Sequence, residues 1–122
     1  MFNFFKQKVS LLGTLSIKGA DGKDFYTPVT SDKWSTIEKC IEDLYAGRIK
    51  NINLKISDGM NLDRSDSGNI SLCYFPNAFL KTASGSYYQI GNLSVTEAKH
   101  AFKHFFLNQE RDASLGWSEN NG

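Results

Sequence analysis

The sequence predicts an α+β domain in which about five strands form a mostly antiparallel sheet and two helices cover one of its faces. The 122 residues are 40% hydrophobic and 22% charged, as in a single soluble domain with one core. Apolar residues alternate with polar ones in the strands and recur at helical spacing in the helices. The order ββ-α-βββ-α excludes repeated βαβ units, so we expect the strands to pair antiparallel.

A hairpin is predicted at the beginning of the domain. Leu15 and Ile17 alternate with polar residues in a strand at 12–18. Asp21-Gly22 then supplies a turn before a second strand at 25–29. The first strand has the pattern of a half-buried strand, so one of its sides is expected to be polar.

The first helix is predicted to follow directly. Its apolar positions are Trp34, Ile37, Ile41, Leu44 and Tyr45. Charged residues occupy the opposite side of this helix, as in a surface helix. We expect Ser31 or Asp32 to cap its beginning and Gly47 to end it.

Strands are predicted at 52–56 and 70–74, where apolar and polar residues alternate. Residues 58–69 lie between them and contain two glycines and three aspartates, which is typical of a long polar loop. A short strand is expected at 79–80 and another at 87–90. This part of the chain is therefore predicted to form a meander.

The second helix is predicted to begin at a capping box, since Ser94 and Glu97 have the S-x-x-E spacing. Its apolar positions are Val95, Ala98, Ala101, Phe102, Phe105 and Phe106. The periodicity stops after Leu107. We therefore expect one domain at 1–108 and a polar tail at 109–122, in which Leu115 and Trp117 are the residues able to dock.

Composition indicates a cytoplasmic protein. The net charge of +1 gives no general attraction to nucleic acid or to a membrane surface, so we expect neither as a direct partner. The first 20 residues lack the unbroken apolar run and the cleavage site of an export signal. Cys40 and Cys73 are expected to be free thiols on a helix and a strand.

The reactive side chains form no complete catalytic or metal-binding motif. His100 and His104 stand one helical turn apart, a spacing at which two imidazoles can share a metal, but the residues between them lack the glutamate base of the zinc-protease pattern. Phosphate-binding glycine motifs and a nucleophile elbow are missing from the sequence. We therefore expect no catalytic residue, no metal and no cofactor.

Acidic and aromatic residues are the candidates for a partner-binding surface. The acids fall into two groups, Glu38, Glu42 and Asp43 on the first helix and Asp58, Asp63 and Asp66 in the predicted loop. Such groups can meet a basic partner. Tyr87 and Tyr88 are neighbours on a strand and must point to opposite faces, so at least one of them is directed away from the helices.

The overall layout resembles that of small bacterial immunity proteins, which accompany polymorphic or contact-dependent growth-inhibition toxins. The resemblance spans residues 15–106 and lies in the helix start Ser31-Asp-Lys-Trp34, the strand at 51–56, the Ser86-Tyr-Tyr88 strand and the phenylalanine-rich last helix. It implies an immunity protein that binds a cognate toxin domain, such as a nuclease, and neutralises it by stoichiometric protein–protein inhibition. Many such proteins are acidic, and the net charge of +1 departs from that pattern.

Two other functions stay open at the level of sequence. One is a non-catalytic adaptor or scaffold domain in a phage or bacterial assembly. The other is a small enzyme or ligand pocket that uses Cys73, His100 or His104, since catalytic partners meet in space rather than in sequence. An immunity gene is expected beside a toxin-like reading frame, and an adaptor gene among the genes of its assembly.

Overall fold

The computed structural model describes residues 10–76 and 86–121. In chain order the elements are β1 Leu11–Gly19, β2 Asp24–Thr30, α1 Trp34–Tyr45, β3 Ile49–Lys55, β4 Gly59–Arg64, β5 Ile70–Phe75, β6 Ser86–Gly91, α2 Val95–Asn108 and β7 Ser118–Asn121. The strand predicted at 79–80 lies outside the described residues. Within them, neither helix is long and apolar enough to cross a membrane.

The strands form a single sheet in the order β2-β1-β3-β4-β5-β6-β7, and every neighbouring pair is antiparallel. Both helices pack on one face of it, which confirms the predicted α+β class and the one-sided helix layer. The sheet has seven strands rather than about five. Apart from the exchange of β1 and β2, the strands have the same order in the sheet as in the sequence, so most hydrogen-bonded pairs are consecutive strands.

The two additional strands come from segments that the sequence pattern assigned to a loop and a tail. Strand β4 lies inside the predicted loop at 58–69, and Met60 and Leu62 are fully buried in it. Strand β7 lies in the polar segment after α2 and pairs with β6. Leu115 and Trp117, in the same segment, pack against the core. The region between β3 and β5 is therefore the centre of the sheet and not a loop.

The core lies between the helices and one face of the sheet. Its largest fully buried side chains come from the first five strands and both helices: Leu15, Val29, Ile52, Leu54, Met60, Leu62, Leu72, Ile37, Ile41, Leu44, Phe102 and Phe105. Side chains on the other face alternate with these and are polar for the most part. The sheet thus has one covered and one uncovered face.

The beginnings of the two helices differ in how closely they match the sequence pattern. The capping box of α2 is present, because the Ser94 hydroxyl accepts from the Glu97 N–H and the Glu97 carboxylate accepts from the Ser94 N–H. The predicted cap of α1 is wrong. Helix α1 has Lys33 at its N-cap position and no side-chain cap, because the Asp32 carboxylate accepts instead from the Thr30 hydroxyl at 2.5 Å. Gly47 follows the end of α1 with a φ of +81°, as predicted.

Tyr45 connects the end of α1 to the beginning of α2. Its hydroxyl donates to the Leu93 carbonyl at 2.7 Å, with the Ser94 carbonyl at 3.2 Å. Burial, with a smaller contribution from the Glu97 carboxylate, raises the pKa of Tyr45 to about 12. A tyrosine in the unfolded chain ionises at about pH 10, so the folded protein holds the proton of the Tyr45 hydroxyl more tightly. The resulting stabilisation is complete below about pH 10 and is lost as the pH rises through about 12.

We expect Tyr45→Phe to lower the free energy of unfolding by about 1–3 kcal/mol at pH 8, because a half-buried carbonyl loses its donor. Between pH 9 and pH 11 the variant should lose less stability than the unmodified protein. Urea unfolding at each pH measures both effects, and the exposed Tyr26→Phe serves as the control. Equal stability of Tyr45→Phe and Tyr26→Phe at pH 8 would contradict this role for the hydroxyl.

Candidate functional site

The uncovered face of the sheet is the candidate functional surface among the described residues. The strand registers place Ser16, Asn53, Asn61, Cys73 and Gln89 in one row across five strands. A second row contains Lys18, Asn51, Asp63 and Ser71. We call this surface the open face. Both helices belong to the opposite layer, and no element of residues 10–76 or 86–121 packs over the open face.

Side-chain amides order the middle of the open face. Asn51 and Asn61 donate to each other, with distances of 3.1 and 3.0 Å between amide nitrogen and oxygen. The Asn51 amide also lies 2.9 Å from the Asp63 carboxylate. This group connects β3 with β4 and fixes its donors and acceptors in position before any partner arrives. A preordered polar surface loses less side-chain entropy on binding than a flexible one.

Aromatic side chains lie towards the two ends of the open face. Phe75 and Tyr87 are stacked at one end, with ring centroids 5.4 Å apart. Tyr26 lies at the other end, on β2, and is 70% exposed. Exposed aromatic residues around a polar centre are typical of protein-binding surfaces, where tyrosine contributes large contact area.

Of the two predicted tyrosines, Tyr87 belongs to the open face and Tyr88 does not. Tyr88 points to the helix side, where the Arg111 guanidinium lies 3.8 Å from its ring centroid. Its ring is also 6.4 Å from that of Tyr74. Tyr88 therefore packs between the sheet and the chain that follows α2.

The acids predicted in a loop lie in three different places. Asp63 is on the open face of β4, and Asp66 is in the turn after β4, 3.6 Å from the Lys50 ammonium. Asp58 accepts a hydrogen bond from the Tyr74 hydroxyl on the helix side. Burial and this hydrogen bond raise the pKa of Tyr74. Asp63 can thus contact a partner on the open face, Asp66 is exposed in the turn that follows β4, and Asp58 has a structural bond.

The acids of α1 lie in the helix layer and are matched by basic residues. Lys99 of α2 is 2.7 Å from Glu42 and 3.8 Å from Glu38. Asp43 is 3.1 Å from Lys39 and 2.8 Å from Arg48. Hydrogen bonds from Lys99 and Lys39 hold the pKa values of Glu42 and Asp43 below their usual range. These pairs reduce the net acidity of the helix surface, and the sheet separates it from the open face.

Cys73 and the histidines are not brought together. Cys73 lies on the open face, whereas α2, with His100 and His104, packs on the other side of the sheet. Burial raises the pKa of both cysteines, which disfavours the nucleophilic thiolate form of each. His100 is 3.1 Å from the Asp112 carboxylate. Within residues 10–76 and 86–121 no three His, Cys, Asp or Glu side chains are grouped to hold a metal.

Sequence reasoning missed the amides of the open face, because Asn61 and Asp63 were assigned to a loop. The sequence does carry a signal, since Asn51 and Asn53 of β3 alternate with buried residues in the same way. That signal becomes specific only once the register with β4 is known.

Comparison with known proteins gives no relative for this fold and site. No protein-family model, no curated protein and no solved structure matches the chain. The function must therefore be inferred from the geometry.

Proposed function

We propose that this chain is a non-catalytic protein-binding domain that acts as an immunity protein. In this proposal it neutralises a cognate bacterial toxin domain by forming a stoichiometric complex with it. The observation that carries the proposal is the open face, a preordered polar surface with exposed aromatic residues at its ends. The resemblance of the layout to small bacterial immunity proteins supports it.

The contacts of the proposed complex follow from the positions of the predicted residues. Among the residues predicted from the sequence, the proposed contacts are Asp63 and Tyr87 on the open face and Asp66 in the turn after β4. The side-chain amides of Asn51 and Asn61 add both hydrogen-bond donors and hydrogen-bond acceptors to this surface. Since the open face combines lysines with aspartates, we propose that it recognises a polar, mixed-charge surface rather than a strongly basic one.

The alternative of a small enzyme receives little support from this geometry. Cys73 and the two histidines lie on opposite sides of the sheet, and the thiol has a raised pKa. A hydrolytic or transfer mechanism needs a nucleophile and a base within hydrogen-bonding distance of each other. The adaptor alternative uses the same open face and differs in the identity of its partner.

The test uses the product of the reading frame adjacent to the gene of this chain. We expect this product to inhibit growth when expressed alone in a bacterial host, and co-expression of the full chain to restore growth. Purified together, the two proteins should form a one-to-one complex in size-exclusion chromatography with light scattering. A complex without growth protection would favour an adaptor, and neither complex nor protection would contradict the immunity function.

Two substitutions on the open face locate the interface in the same assay. We expect Tyr87→Ala to weaken binding about 10-fold or more, because it removes a large aromatic contact and its stacking on Phe75 at one end of the open face. Asn53→Arg introduces a long cation at the centre of the face and should weaken binding similarly. Thr96→Arg, an exposed position on α2, is the matched control and should bind normally. Equal affinity of all three variants would remove the open face from the interface.

A further inference from the structure

Strand β2 forms an edge of the sheet. It pairs with β1 on one side, and no strand within residues 10–76 and 86–121 pairs with its other side. Residues 21–28 are exposed along their whole length. The outer edge of β2 therefore presents backbone groups that another extended chain could pair with.

The hydrogen bonds at the two ends of the hairpin identify these groups. The Gly19 N–H donates to the Lys23 carbonyl at 2.8 Å, and the Ser31 N–H donates to the Ser10 carbonyl at 2.8 Å. In an antiparallel pair, bonded and non-bonded residue pairs alternate. Counting from either end, the odd-numbered residues of β2 bond to β1. The N–H and C=O groups of Asp24 and Tyr26 consequently point outwards.

The position of Pro28 is consistent with this hydrogen-bonding pattern and limits the part of the edge to which a strand can be added. Since residue 28 also points outwards, the missing N–H of proline leaves no gap in the pairing with β1. The ring occupies the place where an added strand would need a donor. An added strand can thus pair with residues 24–27 and must end or turn away at Pro28.

The helix side of the same strand adjoins a cavity lined by both apolar and polar side chains. The cavity has a volume of about 140 Å³ and lies between β2, β1 and the first turn of α1. Its lining includes Leu15, Thr27, Val29, Ile37 and Thr36. Cavities that bind small molecules usually measure about 300–1,000 Å³, so this one fits a single side chain better than a cofactor. Phe25, beside it on the strand, is 59% exposed.

The charge at this cavity favours an acidic neighbour. Lys33 is the one charged residue in its lining, and the first turn of α1 contains no acidic residue. The Asp32 carboxylate interacts electrostatically with Lys33 and accepts from the Thr30 hydroxyl, but it does not line the cavity. A segment with an aliphatic residue next to a carboxylate would complement both the apolar lining and Lys33.

We propose that the outer edge of β2 binds an extended segment of a partner protein as an added strand. The segment pairs with the backbone of residues 24–27 and places a branched aliphatic side chain, opposite Thr27, in the cavity beside α1. An adjacent acidic residue of the segment meets Lys33. In this mode the backbone bonds supply affinity and the cavity supplies sequence preference. The site adjoins the open face at Tyr26 but uses the outer backbone edge and the helix side of β2, and it does not depend on the partner being a toxin.

The test is an NMR titration of the ¹⁵N-labelled full chain with a synthetic probe. The probe is a blocked hexapeptide in which valine alternates with threonine, ending in glutamate. We expect saturable shifts of the amides of Asp24, Tyr26 and Thr27 at probe concentrations up to about 1 mM. Two control peptides of the same sequence carry N-methyl groups on alternate backbone nitrogens, one on the odd-numbered and one on the even-numbered residues. N-methylation removes the N–H donors that pair with β2, so at least one of the two control peptides should bind at least tenfold more weakly than the probe.

Variants of the chain separate backbone pairing from apolar contact. Tyr26→Pro removes an outward N–H without removing a bond to β1 and should weaken probe binding about tenfold relative to Tyr26→Ala. Retained hydrogen-exchange protection of the Phe25 and Thr27 amides shows that the hairpin is intact. Thr36→Phe fills the cavity from α1 and should also weaken binding, whereas Ser35→Phe, outside the lining, should not.

Three outcomes would overturn the proposal. The first is no shift along β2 at the highest probe concentration. The second is undiminished binding of the probe by both Tyr26→Pro and Thr36→Phe. The third is a change of the β2 amides on dilution of the chain alone, which would assign the edge to a second copy. None of these outcomes bears on growth protection by the open face, so the two proposals fail independently.

Discussion

Leu62→Ala is expected to lower the free energy of unfolding by about 2–5 kcal/mol. Leu62 is fully buried on the helix side of β4, where the registers place it between Ile52 and Leu72. Truncation removes several methyl groups from a close-packed layer and leaves a cavity that the neighbouring strands can fill only in part. For a domain with a total stability of about 5–15 kcal/mol this is a large fraction.

The measurement is urea unfolding followed by circular dichroism, in which the midpoint should fall while the slope stays unchanged. Asp66→Ala is the matched control from the same segment, since Asp66 is 95% exposed and its ion pair with Lys50 is a surface pair. It should change stability by less than about 1 kcal/mol. If both variants unfold at the same urea concentration, residues 58–69 form a surface loop and not a central strand.

This experiment addresses the largest difference between the sequence pattern and the structure. Strand β4 shows only two apolar positions, Met60 and Leu62, between glycine- and aspartate-containing flanks. Such a short alternation does not distinguish a strand from a loop. What makes it a strand is the pairing with β3 and β5 on both sides, which is tertiary information. The same holds for β7, whose sequence Ser-Glu-Asn-Asn has no apolar residue.

Elements with strong local signals were predicted well. Helix α2 begins at its capping box and buries the expected phenylalanines, because both signals act within a few residues of the chain. The candidate site was less predictable. Lys99 is far from Glu42 in sequence and yet lies 2.7 Å from it, so the acidity inferred for α1 is reduced by a residue that no local pattern connects to it. The amide group of the open face likewise depends on strand register.

Gly13→Ala is expected to destabilise the domain by about 3 kcal/mol or more, at the upper end of the range for overpacking. A Cβ atom at Gly13 would lie 2.0 Å from the Lys55 carbonyl oxygen and 3.0 Å from the Ile56 Cα. These are backbone atoms at the end of β3, so the contact is relieved only if β1 and β3 move apart. Gly13 also adjoins an irregularity in the β1–β2 pairing.

Gly91→Ala is the matched control, because Gly91 also belongs to a strand and a Cβ there meets no atom within 4 Å. It should be neutral or stabilise slightly, by about 0.4–1 kcal/mol, through a less flexible unfolded chain. Urea unfolding of both variants, with hydrogen exchange of the β1 amides, measures the difference. Equal stability would mean that β1 and β3 lie far enough apart at Gly13 to accommodate a Cβ atom.

The effect of Gly13→Ala should extend to the proposed strand-binding edge. Strand β1 holds β2 against the rest of the sheet, and Leu15 of β1 lines the cavity beside α1. A shift of β1 away from β3 would carry β2 with it and change the distance between Thr27 and Thr36 on the two sides of that cavity. We therefore expect Gly13→Ala, at a temperature where it is still folded, to bind the peptide probe more weakly than Gly91→Ala. Unchanged probe binding by a destabilised Gly13→Ala would show that the edge of β2 and α1 move together, independently of the β1–β3 contact.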